Sequence, residues 1–252
     1  MVLPAIGIRR RSGPSAATGN PTQVIWKPSP NFGDRRGGVL PTMVVLHYTA
    51  MQDAEGALSI LSNPNREIPV SAHYLIGRDG TVWQLVDESK RAWHAGVGFW
   101  GGQDDVNSRS IGIEMDNDGY QPFTAPLMAA LEDLLPGILK RWAIRPESVI
   151  GHSDMAPTRK IDPGGRFDWQ RLARQGLTVW PSDEEGSQGD VGSFIANAQR
   201  FGYPIQYGLG EVLKAFRARF RPGATGPLDA RDAAIMSDLA HRYPVDRIGL
   251  TS

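Results

Sequence analysis

Short runs of apolar and β-branched residues, separated by turns rich in Gly, Pro and Asp, recur through the first part of the chain. They predict strands over five ranges: 42–48, 71–77, 81–86, 110–115 and 148–150. The Asp79-Gly80 pair between the second and third runs predicts a hairpin. In the fourth run, alternation puts Ile111 and Ile113 on one face and Glu114 on the other.

Apolar residues at helical spacing predict helices between and after these strands. The predicted helices cover six ranges: 53–61, 125–142, about 168–175, 191–201, 209–220 and 229–243. Pro136 is expected to kink or split the second of them. The mixture of elements predicts an α/β (α+β) fold, with a mixed central β-sheet flanked by helices.

The same pattern predicts how the chain divides. Residues 1–40 show no sustained periodicity and are expected to form an extended arm over the surface. Residues 41–181 should form the main domain, and the polar stretch 182–190 a linker. Residues 191–252 should form a small three-helix domain, which would be only marginally stable alone and should dock on the main domain.

Composition excludes several classes of function. The 27 Lys and Arg residues balance the 27 Asp and Glu residues, which argues against a protein built mainly to hold nucleic acid or an anionic membrane surface. The chain has no Cys, so disulfides, thiolate metal ligands and a Cys nucleophile are excluded. No apolar run is long enough to predict a transmembrane helix, and no serine-hydrolase elbow, phosphate loop or His-Glu-x-x-His motif occurs.

Candidate chemistry is concentrated in the loop over 149–165, which follows a short predicted strand. It contains His152 and Asp162, and His47 ends an earlier predicted strand. Two imidazoles and a carboxylate are the ligands of a catalytic zinc ion that keeps one position for water. For each of these residues considered alone, a structural hydrogen bond is an open alternative.

Four more residues have two interpretations each. Glu114 is either a general base that takes a proton from water or an ordinary exposed strand residue. Lys160 either stabilises an oxyanion or is simply solvated. The residues around His73 favour a structural hydrogen bond over metal ligation, and His94 in a Gly-rich loop either reaches substrate or packs.

Blocks of residues around these positions resemble a known family, the zinc-dependent N-acetylmuramoyl-L-alanine amidases of the type-2 class. That class is related to T7-type lysozyme and to peptidoglycan recognition proteins. The resemblance runs from about residue 42 to 181 in unbroken order, through the segments Val44–Ala50, Val70–Ile76, Arg91–Gly96, Ser110–Glu114, Gly151–Gly164 and Phe167–Trp169.

The resemblance implies a reaction and roles for residues. One zinc ion per chain would be held by His47, His152 and Asp162. Zinc-bound water would attack the lactyl carbonyl in the amide between N-acetylmuramic acid and L-alanine of the stem peptide, with Glu114 as general base and Lys160 stabilising the oxyanion. The candidate substrate-binding residues are Tyr48, His73, Trp93, His94 and Asn107. The partners would be muropeptides; the oligomeric state is left open.

The C-terminal segment around 215–222 resembles the peptidoglycan-binding-like helical domain of AmiD-type amidases, which are typically outer-membrane lipoproteins. With no lipid-bearing Cys and no export signal visible, the expectation is a cytoplasmic enzyme acting on recycled 1,6-anhydro-muropeptides. A chain trimmed of its signal would instead be periplasmic. The alternative function is a non-catalytic muropeptide recognition module of the same fold.

Overall fold

The structure, a computed structural model, describes residues 23–182 and 190–245 of the chain. Its strands are β1 (Val24–Trp26), β2 (Phe32–Gly33), β3 (Met43–Tyr48), β4 (Tyr74–Ile76), β5 (Val82–Gln84), β6 (Arg91–Ala92), β7 (Ser110–Met115) and β8 (Val149–Gly151). Six of them form one sheet in the order β1-β5-β4-β7-β3-β8, and β2 pairs with β6. Because this sheet contains both parallel and antiparallel pairs, it confirms the mixed central sheet.

The centre of the sheet is parallel, whereas the predicted hairpin is antiparallel. Strands β4, β7, β3 and β8 run in one direction, and β5 returns antiparallel to β4 after a turn in which Gly80 has φ of 88°. Parallel strands end at a common edge of a sheet, which is where ligands bind in open α/β sheets. The ends of β3, β7 and β8 therefore bring His47, Glu114 and the loop after Gly151 together.

Each of the six predicted helices is present to within a few residues, and two short helices, Val106–Arg109 and His152–Met155, were not predicted. They are α1 (Ala54–Leu61), α2 (Val106–Arg109), α3 (Ala125–Trp142), α4 (His152–Met155), α5 (Trp169–Ala173), α6 (Val191–Phe201), α7 (Leu209–Phe220) and α8 (Ala230–Arg242), with 3₁₀ turns at Arg36–Gly38, Pro146–Ser148 and Ile205–Tyr207. Polar side chains cap helices at their first turn; at the start of α1, for example, the Asp53 carboxylate accepts a hydrogen bond from the Gly56 amide. In the described parts of the chain, no helix combines the length and apolarity needed to cross a bilayer.

Helix α3 packs on one face of the sheet and continues through Pro136. Of the two expected outcomes, a split at this proline is therefore wrong, and a kink stays a prediction. Proline removes one hydrogen bond of the ladder. The apolar face of the helix is buried on both sides of the proline, through Leu131 before it and Ile138 after it, and this packing stabilises the continuous helix.

Residues 23–40 pack against the α/β domain. Strand β1 is the edge of the main sheet, parallel to β5. The buried guanidinium of Arg35 donates to the main-chain carbonyls of Ser108 and Glu88, both at 2.7 Å. Such contacts with distant residues leave no periodic signal in the sequence. The rest of the expected arm, residues 1–22, lies outside the described residues.

Helices α6, α7 and α8 form the helical tail (residues 190–245), which docks on the other face of the sheet. Its buried aromatic residues, among them Phe194 and Phe216, share one core with Met43, Val45 and Ile150 of the sheet. Alternate residues of β3 thus face the tail, while Val44 and Leu46 face α3. Most of the predicted linker, residues 183–189, lies outside the described residues.

Candidate metal centre

The three residues predicted to bind a metal meet at the C-terminal edge of the sheet. His47 is near the end of β3, His152 is the first residue of α4 directly after β8, and Asp162 lies in the loop that follows. The Ser153 amide donates to the carbonyl of Asp162 at 2.9 Å and so folds this loop back on the helix. All three side chains are buried.

Their ligand atoms form a compact triangle. Nδ1 of His47 and Nδ1 of His152 are 2.9 Å apart, and Oδ2 of Asp162 lies 3.1 Å from the first and 3.0 Å from the second. Tetrahedral zinc with bonds of about 2.0–2.1 Å places its ligand atoms about 3.3 Å apart. The triangle would have to widen by only a few tenths of an ångström, so this group can hold a metal ion.

The other nitrogen of each histidine ligand is also engaged. Nε2 of His152 donates to the carbonyl of Ala95 at 2.9 Å. Nε2 of His47 lies 3.0 Å from Nδ1 of His94, whose own Nε2 lies 3.1 Å from the hydroxyl of Ser110. If each Nε2 carries the proton, every contact has one donor and one acceptor. Both Nδ1 lone pairs then point into the triangle, as ligation requires.

The electrostatics of the cluster favour a neutral His47 and an ionised Asp162. Burial, together with the neighbouring His152, lowers the pKa of His47 to about 4. Burial raises the pKa of Asp162, but its contacts with His152 and His47 outweigh this effect, so the pKa lies well below the ordinary value. These are the protonation states in which His47 and Asp162 bind a metal.

Glu114 lies beside the triangle on β7 at the centre of the sheet, so the alternative of an ordinary exposed strand residue is wrong. It is in register with His47 on the neighbouring parallel strand. Its Oε2 is buried and has no hydrogen-bond partner among the described residues. Burial and the nearby Asp162 raise the pKa of Glu114 to about 8. A carboxyl group with a pKa in this range can take up and release a proton near neutral pH.

These groups line one cleft of about 510 Å³. Its polar lining includes Glu114, Lys160 and the three candidate ligands, and its apolar lining includes Leu61, Val70 and Ile161. Three of the candidate substrate-binding residues, Tyr48, Trp93 and His94, also line it. A peptide attached to a sugar has apolar and polar parts that such a cleft can accommodate.

The side chains of His73 and Asn107 do not line the cleft, and their roles in substrate binding stay predictions. His73 is fully buried: its Nδ1 accepts from the Gly112 amide at 2.9 Å and its Nε2 donates to the Lys90 carbonyl at 3.0 Å. The Asn107 side-chain oxygen accepts from the amides of His94 and Ala95. Both residues therefore support the loop that carries His94.

Two functional positions had not been identified from the sequence. Arg159 lines the cleft and donates to the carbonyls of Ala95 and Val97, so it secures the backbone that His152 contacts. A Cβ atom at Gly112 would lie 2.3 Å from Cγ of His94. The sequence signal for Gly112 was a glycine inside a strand, which is typical of such a close approach. The signal for Arg159 was a charged residue in the loop that carries two of the candidate ligands.

Comparison with known proteins agrees with this geometry. The family model described as N-acetylmuramoyl-L-alanine amidase matches residues 37–165. The amidase AmiD of Escherichia coli (strain K12) is 35% identical over 236 residues, which cover 81% of this chain and 84% of AmiD. The 1,6-anhydro-N-acetylmuramyl-L-alanine amidase AmpD of the same organism is 36% identical over 167 residues, 58% of this chain and 87% of AmpD.

A solved structure also matches over most of the chain. It is AmiD from E. coli in complex with the substrate anhydro-N-acetylmuramic acid-L-Ala-D-gamma-Glu-L-Lys. The TM-score is 0.72 at 33% sequence identity, and the match covers 84% of this chain and 98% of that chain. The shared fold therefore extends beyond the residues that the family model matches.

Proposed function

The chain belongs to the N-acetylmuramoyl-L-alanine amidase family, and from this premise we propose that it hydrolyses the amide between 1,6-anhydro-N-acetylmuramic acid and L-alanine of the stem peptide. The observation that carries the proposal is the convergence of three candidate ligands with a buried, unpaired Glu114 in one cleft. The muropeptide in the AmiD complex supports this class of substrate. The role would lie in peptidoglycan recycling or turnover.

We further propose that His47, His152 and Asp162 hold one zinc ion. The donor set of two imidazoles and a carboxylate suits zinc, and it leaves one position open. When bound, zinc lowers the pKa of a coordinated water and polarises a substrate carbonyl. The remaining steps depend on side chains of this chain.

Glu114 is the proposed general base. It takes a proton from the attacking water as the new carbon–oxygen bond forms at the lactyl carbonyl, and it delivers that proton to the leaving amine of L-alanine as the carbon–nitrogen bond breaks. The ammonium group of Lys160, on the same cleft, stabilises the negative charge that develops on the carbonyl oxygen. Because both catalytic groups and all three ligands are present, a binding-only role is less well supported.

The test is mass spectrometry of the products from purified 1,6-anhydro-muropeptide, with untreated, chelated and zinc-restored protein. We expect free stem peptide and free sugar, lost on chelation and recovered with zinc. His47→Ala, His152→Ala and Asp162→Ala should each lose stoichiometric zinc and lower kcat/KM by more than the roughly 100-fold that loss of an outer hydrogen-bond partner costs. His241→Ala, an exposed change in α8, is the control and should retain both zinc and activity.

Other products would contradict parts of the proposal. A substrate that binds but stays intact would favour the recognition module. Cleavage of intact sacculi alone would preserve the amidase chemistry but contradict the proposed anhydro-muropeptide substrate, and with it the prediction of a cytoplasmic location. Full zinc content in all three ligand variants would contradict the assigned metal site.

A further inference from the structure

The turn that carries His152 is also held on a side that does not line the cleft. Two residues later, the carboxylate of Asp154 is only 1% exposed. It accepts hydrogen bonds from the Gly151 amide at 2.8 Å, the Tyr203 hydroxyl at 2.7 Å and the Arg219 guanidinium at 2.8 Å. Two of the three donors therefore belong to the helical tail, while the residue they contact lies in the metal-binding loop.

Arg219 reaches the chain on both sides of His152. Its Nη1 donates to Asp154, and its Nη2 donates to the main-chain carbonyl of Val149 at 2.9 Å. The guanidinium lies over the Trp169 ring, 4.4 Å from the ring centroid. A planar guanidinium with bound donors and a stacked face has little freedom to move. It therefore holds positions 149 and 154, which bracket His152, at fixed places relative to α7.

A buried ion pair contributes little stability over a well-packed apolar pair of the same volume, because both charges lose their hydration. What it adds is a defined geometry, since a misplaced partner leaves a charge buried and unpaired. Here that geometry is imposed on the single-turn helix α4, which has few intrahelical hydrogen bonds of its own. The turn thus depends on contacts from outside for its orientation.

We propose that Asp154 and Arg219 are positioning residues for the metal centre, through which the helical tail aims Nδ1 of His152 at the other two ligands. The inference rests on the proposed function, because it takes the three residues to bind zinc. A functional group must be held within about 0.5 Å of its working position by the residues around it. Loss of an outer partner of a metal ligand typically lowers metal affinity by about 10–100-fold.

The chain contains a matched control two residues away on the same helix. Arg217 forms a buried ion pair with Asp232 and donates to the Gly226 carbonyl at 2.7 Å. All of these partners lie within the helical tail. A change at Arg217 therefore disturbs a buried ion pair of the same kind without touching the turn that carries His152.

The experiment measures zinc affinity by competition with a chelator, and then hydrolysis at saturating zinc, for the full chain and its variants. Arg219→Lys and Asp154→Asn should weaken zinc binding by about 10–100-fold, and saturating zinc should restore most of kcat. Arg217→Lys should lower the temperature of unfolding but leave zinc affinity unchanged. Tyr203→Phe removes only a hydroxyl from a ring that stays packed 5.2 Å from Trp100, and it should weaken zinc binding by a smaller factor.

Unchanged zinc affinity in Arg219→Lys and Asp154→Asn would overturn the proposal, as would an equal loss in Arg217→Lys. If these variants fail to fold, Tyr203→Phe decides by the same measurement, and an unchanged affinity there would also overturn it. Wild-type protein that binds zinc but releases no stem peptide would contradict the proposed function alone, since affinity is measured without substrate. Wild-type protein that binds no zinc would overturn both.

Discussion

The two sides of the turn His152–Met155 both carry buried polar side chains, but these side chains differ in how completely they are paired. On the cleft side, two histidines and a carboxylate converge within about 3 Å of one another, and the neighbouring Glu114 has an unpaired oxygen. On the side facing the helical tail, Asp154 has three donors and its cation Arg219 is stacked and buried.

The difference separates chemistry from support. A buried, unpaired carboxylate is costly for the fold, which is why burial raises the pKa of Glu114 to about 8. A paired carboxylate such as Asp154 instead holds the backbone around it in place. One carboxylate oxygen of Glu114 is left unpaired where a substrate has to react, whereas both carboxylate oxygens of Asp154 are paired where the reacting groups have to be supported.

The largest expected effect is a loss of turnover from a change on the cleft side. Glu114→Gln keeps the shape of the side chain but cannot take up a proton, so kcat should fall by about 10²–10⁴-fold, the usual contribution of a general base. Zinc content should not change, because Glu114 is not one of the proposed ligands. Steady-state kinetics together with metal analysis tests this. A Gln variant with wild-type turnover would show that another group takes the proton.

The next largest effect is a loss of stability from a change on the side that faces the helical tail. Arg219→Met leaves the Asp154 carboxylate buried without its cation, and it should lower the free energy of unfolding by about 3–5 kcal/mol. Lys214→Met on the same helix removes an exposed ion pair with Glu211, and it should cost less than about 1 kcal/mol. Denaturant unfolding of both variants provides the comparison. Equal losses of unfolding free energy in the two variants would mean that the buried ion pair contributes no more to stability than the exposed one.

The smallest effect concerns His73, a histidine next to the cleft that is fully paired. Burial, and to a smaller extent the nearby Arg35, lowers its pKa to about 4 from an ordinary value of 6.5. The folded state therefore disfavours protonation of His73. Its contribution to stability is fully present above pH 6.5 and is lost as the pH falls through 4. At about 1.4 kcal/mol per pH unit, the loss amounts to about 3 kcal/mol.

The test compares the free energy of unfolding of wild-type protein and His73→Asn at pH 7 and near pH 4. Contributions of the other buried histidines cancel in the difference between the two proteins. We expect the stability advantage of wild type at pH 7 to shrink by most of this amount at the lower pH. An advantage independent of pH would mean that His73 is not held neutral by the fold.

Residue patterns predicted much of the site, for identifiable reasons. His47 and His152 stand at or just after the ends of apolar runs, and Asp162 lies in the loop that follows His152. Parallel strands end at one edge whatever their order in the sheet. Glu114 was identifiable because a carboxylate opposite Ile111 and Ile113 has to face either solvent or a cleft. The helices of the tail were predicted closely, since amphipathic spacing and Asp caps are local signals.

Other roles depended on contacts between residues far apart in the sequence. His73 and His94 both lie in segments that resemble the family. Packing in the folded chain places His94 in the lining of the cleft and buries His73 completely. Residues 23–40 carry no periodic signal because their contacts are made by an edge strand and by Arg35, with partners more than fifty residues away.

The sequence by itself determined the longer helices, the central strands, the candidate ligands and the family, because local propensity and motif spacing are properties of neighbouring residues. Only the tertiary structure decided which polar groups are paired. Arg217 and Arg219 lie two residues apart on one helix and look alike in the sequence, yet one stabilises the helical tail and the other contacts the turn that carries His152. Pairing of a buried charge is set by the partners that the fold brings within hydrogen-bonding distance, and sequence spacing does not record that distance.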